Sequence, residues 1–211
     1  MVPEQNALLE ALQQRHGREL QERFTAATVA ICGLGGLGSH IATALARAGI
    51  GRLILIDFDQ VDITNLHRQQ YKVTQIGRCK TEALAENLLE MAPYLELELH
   101  CIRITEENVE ELLQRADIIC EALDEPEAKA MLTNRVLEKL PGKYLIAASG
   151  MAGMGSVNAI QTRRITERFY LCGDGTSDVS EGMGLVAPRV MLCAAHQAHT
   201  ALRILAKEYE V

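Results

Sequence analysis

Apolar residues in this chain fall in short runs separated by amphipathic stretches, and that alternation carries most of the structural information. Residues 28–32 (Thr-Val-Ala-Ile-Cys) are almost wholly apolar, as a strand covered on both faces must be. Residues 53–56 repeat the pattern and stop at Asp57, and residues 117–121 and 143–148 repeat it again. Residues 95–99 instead alternate Leu with Glu, the period of a strand with one face toward solvent. Helical stretches lie between these runs. Residues 39–48 are Ala-rich and end at Gly49, a residue suited to a left-handed helix stop. Residues 81–91 end before Pro93, residues 106–115 follow, and residues 128–140 are closed by Pro141-Gly142. Strand and helix alternating in this way predict an α/β fold with a doubly wound, mostly parallel sheet.

Both ends depart from the alternation. Residues 8–24 mix apolar positions with many charges, which predicts one or two short amphipathic helices ahead of the sheet. Beyond Gly150, residues 156–165 read as a strand of one or two hairpins, residues 173–184 as a Gly- and Asp-rich stretch, and residues 189–208 as a closing helix. No repeat, low-complexity tract or linker interrupts the chain. A single domain over residues 1–211 is expected: a helical segment at 1–26, the strand–helix core at 27–150, and a short antiparallel extension with the closing helix at 151–211.

Composition narrows the partners more than the fold. A formal net charge of −7 argues against nucleic acid or an anionic membrane as the main partner, so any site for an anion must concentrate its basic groups locally. Aromatics make up 4% and Trp is absent, which disfavours base stacking on exposed rings. No secretion leader and no membrane-length apolar stretch is visible, so a cytoplasmic protein is expected. None of the cysteines forms a Cys-x-x-Cys pair, which predicts reduced thiols and no zinc. Cys32 and Cys120 fall in apolar runs and read as core. Cys172, beside Gly173 and Asp174, has the surroundings of a loop and is the one thiol to weigh for chemistry, with a spectator role the simpler reading.

The chemistry begins where the first strand ends. Gly33-Leu34-Gly35-Gly36-Leu37-Gly38 joins strand to helix, aiming backbone N–H groups and a positive helix end at a phosphate while removing the Cβ atoms that would keep it away. Asp57 closes the next strand, where an acid can accept both ribose hydroxyls. Alone, this pattern says nucleotide without saying which. The long polar stretch after Asp57 carries Arg68, and Lys80 opens the next helix. An NAD-dependent oxidoreductase explains the glycine turn and Asp57 but has no use for these two cations. A triphosphate does, since Arg offers its oxygens a planar fork and Lys a point charge. Taken singly, each of these residues also fits an ordinary solvated loop.

Together, residues 33–38, the Asp57 segment with its Asn-Leu-x-Arg-Gln string (Asn65 to Gln69) and Gly77-Arg78-Cys79-Lys80 resemble the nucleotide site of the ThiF/MoeB/HesA superfamily, which includes ubiquitin-activating enzymes. Arg15-His16-Gly17-Arg18-Glu19 resembles that superfamily's N-terminal Arg-Tyr-x-Arg-Gln segment. Residues 182–198 resemble its late segment, in which a Gly-x-x-Ala-Pro turn leads into a helix containing Gln-Ala. The short length and residues 148–153 are most similar to compact ThiF-type proteins associated with thiamine synthesis.

The resemblance implies a Rossmann-like fold and an ATP- and Mg²⁺-dependent adenylyltransferase. Its substrate would be the C-terminal glycine carboxylate of a small ubiquitin-like sulfur carrier protein ending in Gly-Gly, its product with the acyl-adenylate pyrophosphate, its pathway thiamine biosynthesis and its assembly a homodimer. By the same resemblance Gly33, Gly35, Gly36 and Gly38 lie along the nucleotide, Asp57 binds the ribose, and Asp59 and Gln69 belong to the same site. Asn65, Arg68 and Lys80 would bind phosphates, Asp124 would hold Mg²⁺, and Arg18 would reach the γ-phosphate in the partner subunit. Arg18, Arg68, Lys80 and Asp124 would then carry catalysis by positioning and charge neutralisation, with no nucleophilic side chain.

Alternatives remain at this level. Asp124 equally suits a helix cap for the segment starting at Pro126. His67, His196 and His199 converge on no metal pattern and read as structural, and Arg163, Arg164 and Lys207 as solvated surface. The zinc-binding Cys-x-x-Cys pairs of many superfamily members are missing. Besides the oxidoreductase, a non-catalytic module that only docks a carrier and a branch that dehydrates a modified tRNA base are the competing functions.

Overall fold

The computed structural model describes residues 2–179, 182 and 184–211. Parts of the expected Gly- and Asp-rich stretch and of the late segment beginning at Gly182 (Ser180, Glu181 and Met183) lie outside the described residues. The strands are Thr28–Cys32 (β1), Arg52–Ile56 (β2), Glu96–His100 (β3), Ile118–Glu121 (β4), Tyr144–Ala148 (β5), Gln161–Arg164 (β6) and Phe169–Gly173 (β7). They form one sheet in the order β3-β2-β1-β4-β5-β7-β6, parallel except for the β6–β7 pair at one edge. The helices are Gln5–His16 (α1), Arg18–Ala26 (α2), Gly36–Ala48 (α3), Lys80–Met91 (α4), Val109–Leu113 (α5), Pro126–Lys139 (α6) and Ala187–Leu205 (α7).

Successive residues of the inner strands feed two different cores, which is why their sequences are unbroken apolar runs. Val29 and Ile31 pack with α3, α4 and α7 on one face, whereas Ala30 and Cys32 pack with α5 and α6 on the other. The chain winds from β1 out to β3 and then returns to lay β4 against the free side of β1. That reversal opens a crevice at the carboxyl ends of β1, β2 and β4, the place where open α/β sheets bind ligands. α7 closes the back of the crevice: Gln197, fully buried, donates from Nε2 to Glu121 O and to Ile146 O, both at 3.0 Å. Among the described residues no helix is long and apolar enough to cross a membrane.

The structure corrects several local expectations. The helix expected at 106–115 shrinks to α5 because Asn108 turns its side chain back on the backbone, accepting from Thr105 N at 2.8 Å and donating to Arg103 O at 2.9 Å. The strand expected at 156–165 shortens to β6, since Ser156 Oγ accepts from Asn158 N and starts a 3-10 turn at Val157–Ala159. Cys172 is not in a loop. It lies in β7 with no exposed surface, and burial pushes its thiol up to about 11, which makes it an inert core residue. Arg164 is not free surface either: its guanidinium pairs with Glu210 at 2.8 Å and lies over the Tyr170 ring.

One buried ion pair shapes the segment that leads from β7 into α7. Arg189 meets Asp174 at 2.5 Å, each side chain less than a tenth exposed (6% and 7%), and also donates to Gly155 O and Ser156 O. Burial alone would raise the Asp174 carboxyl. The N–H groups of Ser177 and Thr176, the Ser177 hydroxyl and Arg189 overcome it and hold the group well below the usual carboxylate range. A carboxyl depressed in the folded state adds stability above its unfolded pKa of about 3.9 and loses it as pH falls through the lower folded value. Asp174→Asn should therefore cost about 3 kcal/mol near neutrality by leaving Arg189 buried and unpaired. The gap from wild type, measured by urea unfolding, should narrow as the pH is lowered below 4. A gap independent of pH would show that the charge on Asp174 is not what stabilises this segment.

Candidate functional site

β1 ends at Cys32 and α3 starts at Gly36, so residues 33–35 make the whole connection and the first turn of α3 faces the crevice. The chain's own packing accounts for three of the four glycines. A Cβ on Gly33 would lie 2.6 Å from Ala122 O, one on Gly38 1.8 Å from Gly33 O, and one on Gly36 2.9 Å from Val190 Cγ1. Gly35 is different, because a Cβ there would meet nothing nearer than Gln69 Nε2 at 3.7 Å. Its bare side opens on the cavity.

The turn is held at both polar groups of Leu34. Its N–H donates to Asp57 Oδ2 at 2.6 Å, and its C=O accepts from the Tyr71 hydroxyl at 2.7 Å. The other Asp57 oxygen accepts from Asp59 N at 2.8 Å. Burial raises the Asp57 pKa from its ordinary value, opposed by Lys80 and by these two N–H donors. Lys80 is the first residue of α4 and is 5% exposed. Its Nζ lies 2.7 Å from Asp59 Oδ2 but 3.9 Å from Asp57 Oδ2, so among the described residues one of its three N–H groups meets an oxygen at bonding distance.

The polar loop between β2 and α4 has many exposed residues but is fastened down at several points by side-chain hydrogen bonds. Asp62 accepts from Thr64 N and starts the 3-10 turn Ile63–Asn65. Gln75, buried, donates to Ala83 O and to Asn87 Oδ1, Asn87 donates to Gln70 O, and Ser39 Oγ accepts from Gln70 N. This amide network stands Asn65, Arg68 and Gln69 beside the glycine turn. Arg68 Nη2 donates to Asn65 Oδ1 at 3.2 Å, while Arg68 Nε and Gln69 Oε1 are buried without partners. Burial lowers the Arg68 pKa, and the nearby Asp124 carboxylate opposes the shift.

Asp124 follows β4 and lines the same cavity of about 550 Å³, a size typical of small-molecule sites (~300–1,000 Å³). It does not cap α6: the cap position is Glu125, and no side chain caps that helix. Gly33, Gly35, Gly36, Asp57, Asp59, Asn65, Arg68, Gln69, Lys80 and Asp124 thus come together in one cavity, with Gly38 just beneath the turn. Two expected residues stay outside it. Cys172 is in the core, and Arg18 is exposed on α2, its side chain 81% accessible and paired with Glu22 at 3.0 Å.

Sequence reasoning missed two features of the cavity wall. Arg103 lies 4.0 Å over the Phe58 ring and pairs with Glu125 at 2.9 Å, forming the wall past the end of β3. Lys129, from α6, reaches back to a fully buried Glu121. Position at the carboxyl end of a strand was the available signal for Phe58 and Glu121; nothing local marks Arg103 or Lys129. Among the described residues no three His, Cys, Asp or Glu side chains gather as a metal cluster. A second, more open depression of about 700 Å³ lies between β6 and α7 and contains no glycine turn.

Comparison with known proteins agrees with this geometry. The chain is 26% identical over 213 residues to the adenylyltransferase and sulfurtransferase UBA4 of Lodderomyces elongisporus, covering 93% of this chain and 46% of that protein. It is 33% identical over 131 residues to a sulfur carrier protein adenylyltransferase of Thermus thermophilus, covering 62% of this chain and 48% of that one. The chain spans less than half the length of these curated relatives. Its fold matches that of the E. coli tRNA N6-threonylcarbamoyladenosine dehydratase TcdA, solved in complex with ATP, with a TM-score of 0.86 at 21% identity over 99% of this chain and 98% of that one. The ThiF family model matches residues 8–211, and the chain belongs to the ThiF family.

Proposed function

We propose that this chain binds ATP in the cavity and adenylylates the C-terminal carboxylate of a small ubiquitin-like sulfur carrier protein, releasing pyrophosphate. One observation carries the reading: an unpartnered Arg68 Nε and an under-used Lys80 ammonium stand beside the open face of Gly35. Cations kept short of acceptors are costly unless an anion completes them. The names of the relatives support the same chemistry, since both are adenylyltransferases and one acts on a sulfur carrier. The carrier of thiamine synthesis, ending in Gly-Gly, is the partner to try first, because the resemblance to compact ThiF-type proteins points there.

In this reading the residues divide the work. The α3 N-terminus and the Gly35 peptide lie along the phosphates, Asp57 takes the ribose, and Arg68 and Lys80 neutralise the oxygens as pyrophosphate leaves. Asn65 holds the Arg68 guanidinium in place. The site fits Mg²⁺, because one carboxylate plus water and phosphate oxygens is its usual set, and Asp124 is the residue that would hold it. Bound there, Mg²⁺ would offset the negative charge that keeps a carboxylate from approaching the α-phosphorus. A hydride-transfer site gives Arg68 and Lys80 no such task, and a docking module gives the Gly35 opening none.

The direct test is ATP–pyrophosphate exchange with candidate carriers ending in Gly-Gly, beside thermal unfolding with ATP and Mg²⁺ or with NAD. ATP is expected to raise the melting temperature and NAD to leave it unchanged. A larger shift with NAD would return the chain to the oxidoreductases. Gly35→Ala isolates the phosphate cradle: the fold has room for the methyl group, so stability should hold, while ATP affinity should fall about tenfold (~1.4 kcal/mol) or more. Unchanged ATP affinity in a folded Gly35→Ala protein would place the nucleotide elsewhere.

Arg18 acts, in this proposal, across a homodimer. It is exposed on α2, outside its own cavity, which leaves it available to a neighbouring subunit. Mixing inactive Arg18→Ala and Lys80→Ala proteins after subunit exchange should restore about one quarter of wild-type activity, because half of the dimers then hold one intact site. No recovery despite proven exchange would confine Arg18 to its own chain.

A further inference from the structure

Two lysines line this cavity, and their surroundings are opposite. Lys80 keeps N–H groups to spare. Lys129 is turned to the chain itself: its Nζ meets both oxygens of the Glu121 carboxylate at 2.8 Å and Leu123 O at 3.1 Å. The same Glu121 accepts from Leu123 N at 2.8 Å. One ion pair therefore holds both the N–H and the C=O of the residue just before Asp124. Glu121 is itself fixed, as the last residue of β4, with a side chain 1% exposed and a carbonyl bound by Gln197.

We propose that the Glu121–Lys129 pair is a positioning device for Asp124. It locks the peptides on either side of Leu123 and so sets the direction in which the Asp124 carboxylate meets the metal on the nucleotide. Stability is a poor reason for the pair, since buried ion pairs do no better than well-packed apolar residues of the same volume. Its bonds to both the N–H and the C=O of Leu123 give it a geometric purpose instead. Groups that orient a metal-holding side chain from behind matter nearly as much as the side chain itself. The inference rests on the reading of Asp124 as the Mg²⁺ carboxylate.

Mn²⁺ is the probe, titrated by electron paramagnetic resonance against the protein with a non-hydrolysable ATP analogue. Glu121→Gln/Lys129→Met keeps the size of both side chains and removes both charges. Folded, by circular dichroism and cooperative melting, it should bind Mn²⁺ about tenfold or more weakly, while metal-free analogue affinity stays within about twofold. Asp124→Asn should weaken Mn²⁺ by itself, and adding the double substitution to Asp124→Asn should bring no further loss, because the pair acts through that carboxylate. Wild-type Mn²⁺ affinity in the folded double variant, or losses that add in full, would overturn the positioning role while leaving the Asp124 reading intact. Unchanged Mn²⁺ binding in Asp124→Asn would sink the Mg²⁺ reading itself, and the positioning role with it. Should the double variant not fold, Glu121→Gln alone serves, since the Lys129 side chain is 25% exposed and its ammonium can still reach water.

Discussion

The Asp57 carboxylate takes the Leu34 amide at 2.6 Å, and that bond ties the end of β2 to the turn that follows β1. Two neighbouring parallel strands are thereby joined at their carboxyl ends by a charged acceptor rather than by more backbone ladder. The remainder of the site is arranged around this joint. Asp59 is held by the other Asp57 oxygen and in turn holds Lys80, whose helix starts there. Tyr71, from the polar loop, closes the carbonyl side of Leu34 and brings Arg68 and Gln69 with it. The acid assigned to the ribose in the proposed function is thus also the residue that shapes the glycine turn, which would link ribose-side and phosphate-side recognition mechanically.

In the proposed function an acidic protein handles a polyanion, and it must then bury its cations without neutralising them completely. The cavity resolves this by giving each cation a different degree of satisfaction. Lys129 is bound to a carboxylate and a backbone carbonyl and supports the wall, Lys80 is held by one carboxylate at bonding distance, and Arg68 Nε is buried with no partner among the described residues. Charge alone does not distinguish a binding lysine from a structural one. The count of acceptors around the ammonium does, because each N–H already engaged is unavailable to a ligand.

Much of this was legible along the chain. The inner strands read correctly because burial on both faces leaves no polar position to obscure the pattern, as Thr28–Cys32 shows. The glycine turn, Asp57, Arg68 and Lys80 stood out along the chain because residue type at fixed spacing marks them, and the fold gathers them in one cavity. What escaped depends on contacts distant in sequence. Cys172 is followed by Gly173 and Asp174, which suggest a loop, yet β5 pairs with it and makes it core. Lys129 looks like any helix-surface lysine until the end of β4 is placed beneath it. Asn108 shortened a helix through a local side-chain bond that competes with the backbone and leaves no trace in hydrophobic periodicity.

The placement of β4 beside β1 also bears on how the protein is made. Their pairing joins residues far apart in sequence, with Thr28 N bonded to an Asp117 oxygen 89 residues on. The crevice is sealed from behind by Gln197, near the end of the chain. Long-range pairings of this kind slow folding, because much chain must be immobilised before they contribute anything. On the ribosome, the glycine turn emerges early and waits: until β4 and then α7 are synthesised, neither the neighbour of β1 nor the back of the crevice exists. In the proposed function, ligand competence therefore waits for α7, and a nascent chain that stops short of it would hold no nucleotide in this cavity.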